Sequence, residues 1–276
     1  MTGPLITAVE LLERQSDVTI LDVRYRMGGP SGPEEYAAGH VPGARYVDLD
    51  TDLADPPGEG GRHPLPDSAR FEVAMRGCGV RADRPVVVYD DWSGLAAGRA
   101  WWLLRFHGHD EVRLLDGGWS AWVQAGGAVE TGATVAARHD DLDGDFEARP
   151  GQMPVVEAGD VLEVPVLIDA RAPERFRGEV EPLDPVAGHI PGAVNIPTST
   201  NLAADGRFRS PEQLRALYAA AGVPTDDGAV VAAYCGSGVT AVHDVIALEL
   251  LGVRAALYPG SWSDWITDSR RPTGRT

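Results

Sequence analysis

The apolar residues of this chain fall into short continuous runs that alternate with stretches whose apolar positions recur three and four residues apart. Val18-Thr19-Ile20-Leu21-Asp22, Val86-Val87-Val88-Tyr89, Val112 to Leu115, Val166 to Asp169 and Ala229 to Tyr234 are β-branched, brief and flanked by turn residues, a pattern that predicts buried strands. Thr7 is placed to cap a helix running through Gln15, and further helices are predicted near Phe71 to Arg76 and over Ala96 to Phe106. Beyond Tyr234, apolar Val242, Val245, Ile246 and Leu250 predict a helix within Ala241 to Leu251. Strands alternating with helices imply βα crossovers, hence an α/β fold with mainly parallel sheets flanked by helices on both faces.

The order of these elements occurs twice. Thr19-Ile20-Leu21-Asp22-Val23-Arg24 returns as Val166-Leu167-Ile168-Asp169-Ala170-Arg171, and Ala38-Gly39-His40-Val41-Pro42-Gly43-Ala44 as Ala187-Gly188-His189-Ile190-Pro191-Gly192-Ala193. Tyr89-Asp90 is matched by Tyr234-Cys235, and Gly118-Trp119-Ser120-Ala121-Trp122 by Ser261-Trp262-Ser263-Asp264-Trp265. The separation stays near 145 residues, far above solenoid periods, so it marks a duplicated domain. The expected division is a first domain over 1–130, a Gly-, Ala- and Asp-rich linker over 131–153, and a second domain over 154–276.

Duplication separates scaffold from chemistry. Asp22 with Arg24, Asp169 with Arg171, His40, His189 and the tryptophan turns are present in both halves and read as structural. Cys235 against Asp90 is the contrast: an aspartate caps a helix but supplies no sulfur nucleophile, so only the second half is expected to be catalytic. The strand ending at Tyr234 hands over to a glycine loop and then a helix. Main-chain N–H groups and the positive helix end there favour an anion, here a thiolate. Gly236 and Gly238 let the backbone curl around the sulfur. This reading requires a sulfur that solvent and donor can reach.

The bulk composition narrows the partners. A length of 276 residues suits two domains. A net charge of −17 argues against nucleic acid or an anionic membrane surface as partner, so an anionic substrate has to be drawn by local cations. Cys78 and Cys235 are the two cysteines, too few for a disulfide framework or a structural zinc site. With no signal-like start and no long apolar run, the expectation is a cytoplasmic protein without metal or organic cofactor. Cys78, ahead of a strand, and His243, about two turns into the helix, read as packed residues.

Tyr234-Cys235-Gly236-Ser237-Gly238-Val239-Thr240-Ala241, the two Gly-His-(Val/Ile)-Pro-Gly-Ala segments, Asp169-Ala170-Arg171 followed by Glu174-Arg175-Phe176-Arg177-Gly178, and Gly260-Ser261-Trp262 together resemble tandem-domain rhodanese-type sulfurtransferases over nearly the whole chain. The resemblance implies two rhodanese-like domains, a persulfide formed on Cys235, and a cradle from Gly236, Ser237, Gly238, Val239 and Thr240. It implies a small anionic donor, 3-mercaptopyruvate or thiosulfate, bound by Arg175, and a thiol, thioredoxin-like or cyanide acceptor in a ping-pong cycle. The neutral loop is similar to that of 3-mercaptopyruvate sulfurtransferases, which also carry an Asp, His and Ser set matched here by Asp50, His63 and Ser237 as a proton relay. A further arginine of those enzymes is replaced by Leu183. Two other readings use the same cysteine: a persulfide carrier or regulatory sulfur-binding module, which would load once and stop, and a cysteine phosphatase, which needs an arginine where Ala241 stands.

Overall fold

The computed structural model describes residues 3–132, 144–226 and 228–276. They form two compact units, one of residues up to Asp55 with Pro66–Met153, the other of Pro56–Leu65 with Pro154–Thr276. The irregular stretch 56–65, expected within the first domain, thus packs with the second unit. Of the linker expected over 131–153, residues 133–143 lie outside the described residues, and 146–152 run along the first unit, with Arg149 and Gln152 donating to the carbonyls of His107 and Phe106.

The first unit runs β1 (Leu5–Ile6), α1 (Ala8–Arg14), β2 (Thr19–Asp22), α2 (Gly32–Ala38), β3 (Arg45–Tyr46), α3 (Leu49–Asp52), α4 (Ser68–Gly77), β4 (Val86–Tyr89), α5 (Ala97–Phe106), β5 (Val112–Leu115) and α6 (Gly118–Gln124). Its sheet is parallel throughout, in the order β1-β5-β4-β2-β3. Thr7 caps α1 through a full capping box with Glu10. The second unit runs β6 (Val166–Asp169), α7 (Pro173–Arg177), β7 (Val194–Asn195), α8 (Pro211–Ala220), β8 (Val231–Tyr234), α9 (Val242–Glu249), β9 (Ala256–Leu257) and α10 (Ser261–Trp265). Its parallel order β7-β6-β8-β9 matches β3-β2-β4-β5, and a parallel bridge from Val155 to Leu257 stands where β1 lies in the first unit. The central strands β4 and β8 are buried at every position, as expected of strands covered on both faces.

The repeated polar residues build one device twice. In the first unit the Arg24 side chain lies 2.9 Å from Asp22, donates to the Gly39 carbonyl at 2.9 Å and stacks over Trp119 at 5.0 Å. In the second, Arg171 lies 2.6 Å from Asp169, donates to the Gly188 carbonyl at 2.7 Å and stacks over Trp262 at 4.8 Å. The tyrosines ending β4 and β8 accept the N–H of Val41 and Ile190 at 2.9 and 3.0 Å. His40 and His189 bond the carbonyls of Tyr36 and Phe176 and stack on those rings. The aspartates, arginines, histidines and strand-end tyrosines of both copies are buried, with Trp119 and Phe176 half-buried over them, so both copies serve the scaffold, as the duplication implies.

Behind the cysteine loop, α9 carries a buried carboxylate at its third position, where α5 of the first unit carries the buried Arg99, whose Nε donates to the Leu53 carbonyl at 3.3 Å. Asp244, fully buried, accepts from Asn201 at 2.6 Å and from the Tyr218 hydroxyl at 3.0 Å, and burial pushes its carboxyl up to about 7. The unfolded chain releases that proton near pH ~4. From there to about pH 7 the native state holds the extra proton, so this contribution to stability is complete below pH ~4 and is lost as pH rises through 7. Thermal unfolding at pH 5 and pH 8 should show a lower Tm at pH 8. D244N should flatten that fall, leaving the share of Asp22, which burial also pushes up to about 7. An unchanged slope in D244N would contradict the assignment.

Candidate active site

Cys235 follows β8 directly and its carbonyl accepts the Trp262 N–H at 3.0 Å, just as the Asp90 carbonyl after β4 accepts that of Trp119 at 2.8 Å. The two positions are therefore equivalent in structure as well as in sequence. Helix α9 runs Val242–Glu249 with Ala241 as its cap, within the span the sequence pattern predicts, and the loop 235–241 stands between the cysteine and the first helical turn.

The first unit shows what that loop is shaped to hold. One Asp90 carboxylate oxygen accepts the N–H groups of Trp92 and Gly94, both at 2.8 Å, and the other those of Ala96 and Ala97 at 2.9 and 2.8 Å. Ala96 and Ala97 are the cap and first residue of α5, so the curled loop brings the helix N-terminus back onto the anion. Burial pushes the Asp90 carboxyl up, and the four N–H bonds pull against it. In the second unit Ala241 and Val242 hold the cap and first-residue places of α9.

Two backbone positions hold this geometry. Gly238 has φ +74°, and a Cβ there would press on the Pro259 backbone, 2.9 Å from its carbonyl carbon. Ser261 has φ +54°, the conformation that Gly118 adopts at the equivalent place in the first unit. Its buried hydroxyl accepts the Cys235 N–H at 3.1 Å, donates to the Tyr258 carbonyl at 3.0 Å and lies 4.0 Å from the Cys235 sulfur. A non-glycine residue in that region is strained. The sequence pattern aligns Ser261 with a tryptophan turn and carries no sign of its contact with Cys235.

His63 and Ser237, both buried, are brought together, Nδ1 to Oγ at 2.7 Å. Asp50 lies in α3 of the first unit, exposed, with its N–H donating to Asp48. Arg175 forms a fork onto Glu181, with Nη2 at 2.7 Å and Nε at 3.2 Å, and Nη2 also lies 3.2 Å from Asp184. Arg177 is an exposed partner of Glu179, and Leu183 is 42 % exposed.

The candidate nucleophile is less open than the sequence reading requires: Cys235 is 2 % exposed. Next to it, Arg62 and Arg175 crowd the face of Gly236, and a Cβ there would lie 2.8 Å from Arg62 Nη2 and 3.5 Å from Arg175 Nη1. These are ends of flexible side chains rather than backbone. Arg62, in an irregular stretch without periodicity, escaped the sequence reading although it precedes His63. His243 is buried and stacks on Phe208 at 4.3 Å; Cys78 is half-buried, its sulfur 3.8 Å from the Tyr46 carbonyl and its thiol pushed up to about 12 by desolvation. Among the described residues no helix is long and apolar enough to cross a membrane.

Comparison with known proteins places this geometry in a family. Residues 7–125 and 156–268 each match the rhodanese-like domain model. The chain is 47% identical over 281 residues to "Putative thiosulfate sulfurtransferase SseB" of Mycobacterium tuberculosis, covering 98% of this chain and 96% of the relative. It is 47% identical over 285 residues to "Probable 3-mercaptopyruvate sulfurtransferase" of Pseudomonas aeruginosa, covering 98% of each. Among solved structures, 3-mercaptopyruvate sulfurtransferase from Leishmania major superposes with a TM-score of 0.86 at 30% identity, over 98% of this chain and 76% of that one. With two copies of the domain, one cysteine loop and relatives of this kind spanning nearly its full length, the chain belongs to the rhodanese-like family as a tandem-domain sulfurtransferase.

Proposed function

We propose that the second domain is the catalytic one and that Cys235 carries the transferred sulfur as a persulfide. The reading rests above all on one observation: the position of Cys235 is that of Asp90, an anion held by four main-chain N–H groups. A thiolate at the same place gains the same kind of donors, and the first domain, holding a carboxylate there instead, has no sulfur nucleophile at that position. Gly236, Ser237, Gly238, Val239 and Thr240 cradle the persulfide.

With 3-mercaptopyruvate, the Cys235 thiolate attacks the donor's sulfur, an S–S bond forms and the C–S bond breaks. The electron pair goes to C3 of the leaving enolate, which takes a proton and departs as pyruvate. The Ser237 and His63 pair, 2.7 Å apart, serves as the proton source, and Asp50 is a third candidate for that relay. With thiosulfate the same attack releases sulfite and needs no proton at carbon. A thiol, a thioredoxin-like dithiol or cyanide then takes the outer sulfur. Arg175 binds the donor's anionic end by a planar two-point contact. We favour 3-mercaptopyruvate on the neutral loop, and a cytoplasmic setting on the two free thiols.

Double displacement has a kinetic signature. Initial rates at varied donor and fixed acceptor concentrations should give parallel double-reciprocal lines, and kcat/KM should be higher for mercaptopyruvate than for thiosulfate on one preparation. Converging lines would contradict the persulfide intermediate, and the reverse ratio would reassign the donor.

A further inference from the structure

Arg62 Nη2 occupies the space a side chain at Gly236 would fill, and the Arg175 guanidinium lies against the same point. The cations come from distant segments, Arg62 from the stretch 56–65 that packs with this unit and Arg175 from α7. One carboxylate ties them: Asp184 pairs with Arg62 through Oδ1 and with Arg175 through Oδ2, 3.2 Å away. The Arg62 N–H donates to the Ser263 hydroxyl at 3.0 Å, fixing the backbone from which the side chain reaches. Its Nε is buried without a hydrogen-bond partner, so the guanidinium retains an unused donor where water does not reach. Its side chain as a whole is 26% exposed, so part of it reaches solvent.

We infer that Arg62 is a second donor-binding residue, forming with Arg175 a pair of guanidiniums over Gly236 that takes the oxyanion head of the sulfur donor. Asp184 serves as the tether that sets their spacing. Two adjacent guanidiniums are disfavoured unless anions lie between them, and Glu181 with Asp184 neutralises the pair only in part, because each arginine keeps N–H groups to offer. A carboxylate or sulfonate arriving beside Cys235 meets those groups, which also answers how a chain of charge −17 draws an anion. The inference rests on the donor site proposed above, but the ligand contact is measurable without turnover.

The test compares wild type, R62Q and R62K. Intrinsic fluorescence titrations with pyruvate and with sulfite, the two heads without a transferable sulfur, should show affinity about 10-fold or more weaker in R62Q for the head Arg62 holds, with R62K intermediate. Steady-state KM for the corresponding donor should rise by a similar factor while kcat changes less than about threefold. The pyruvate and sulfite arms tell a carboxylate from a sulfonate site. A purely structural Arg62 would instead lower Tm and kcat for both donors and leave the affinities alone; R62K, which retains the charge facing Asp184, supplies the folded variant if R62Q unfolds. Equal affinities in wild type and R62Q, or no binding of either anion by wild type, overturn the inference. A persulfide that fails to form in wild type despite Arg62-dependent anion binding would instead count against the transfer reaction.

Discussion

Replacing Cys235 by serine should lower sulfur transfer from either donor by at least about 10³-fold, with Tm within about 2 °C of wild type. The substitution keeps volume and hydrogen-bonding reach at a buried position, and the Cys235 N–H still donates to Ser261. What changes is chemistry: a hydroxyl is scarcely ionised near neutral pH and does not accept a sulfane sulfur reversibly. Asp90 shows that the fold accepts another residue at this position of the repeat without losing the loop. Wild-type turnover in C235S would remove the basis of the mechanism, and a large loss of Tm would show the thiol to be a core residue instead.

Gly238→Ala should cost about 100-fold in kcat and several degrees in Tm. At φ +74° an alanine is strained, and its Cβ would run into the carbonyl of Pro259, which cannot move without shifting the turn that leads to Ser261. The loop would open and the cradle for the persulfide would lose its shape. Gly236→Ala is the contrast, since its Cβ meets the guanidinium ends of Arg62 and Arg175, which yield by rotation, so Tm should hardly change. Equal losses of Tm in the two variants would contradict the assignment of the strain to the Pro259 backbone. Circular dichroism melts and single-turnover rates on the same preparations separate the two effects.

The strands Val86–Tyr89 and Val112–Leu115 lie where their short apolar runs put them, because a run buried at every position, or at all but Arg113, leaves few other solutions. The duplication also made the scaffold legible: Asp22 with Arg24 and Asp169 with Arg171 are the same buried pair twice. The start of α9 was legible too, since the apolar spacing of Val242, Val245 and Ile246 sets in only after the glycine loop. Sequence does not convey which unit an irregular segment joins. Residues 56–65 have no periodicity, and their packing with the second unit is set by single contacts such as that of Arg62 with Ser263. Arg62, Asp184 and Ser261 were missed for this reason: each acts through a partner remote in sequence. The 2 % exposure of Cys235 is likewise not conveyed by the strand, loop and helix pattern around it.

The central claim is that Cys235 receives the donor's sulfur. Incubating the protein with 3-mercaptopyruvate or thiosulfate, trapping persulfides and mapping peptides by mass spectrometry should place one added sulfur, about 32 Da, on the peptide containing Cys235, removable by a thiol or cyanide. Sulfur found on Cys78 alone, or no added mass at position 235 while transfer proceeds, would contradict it.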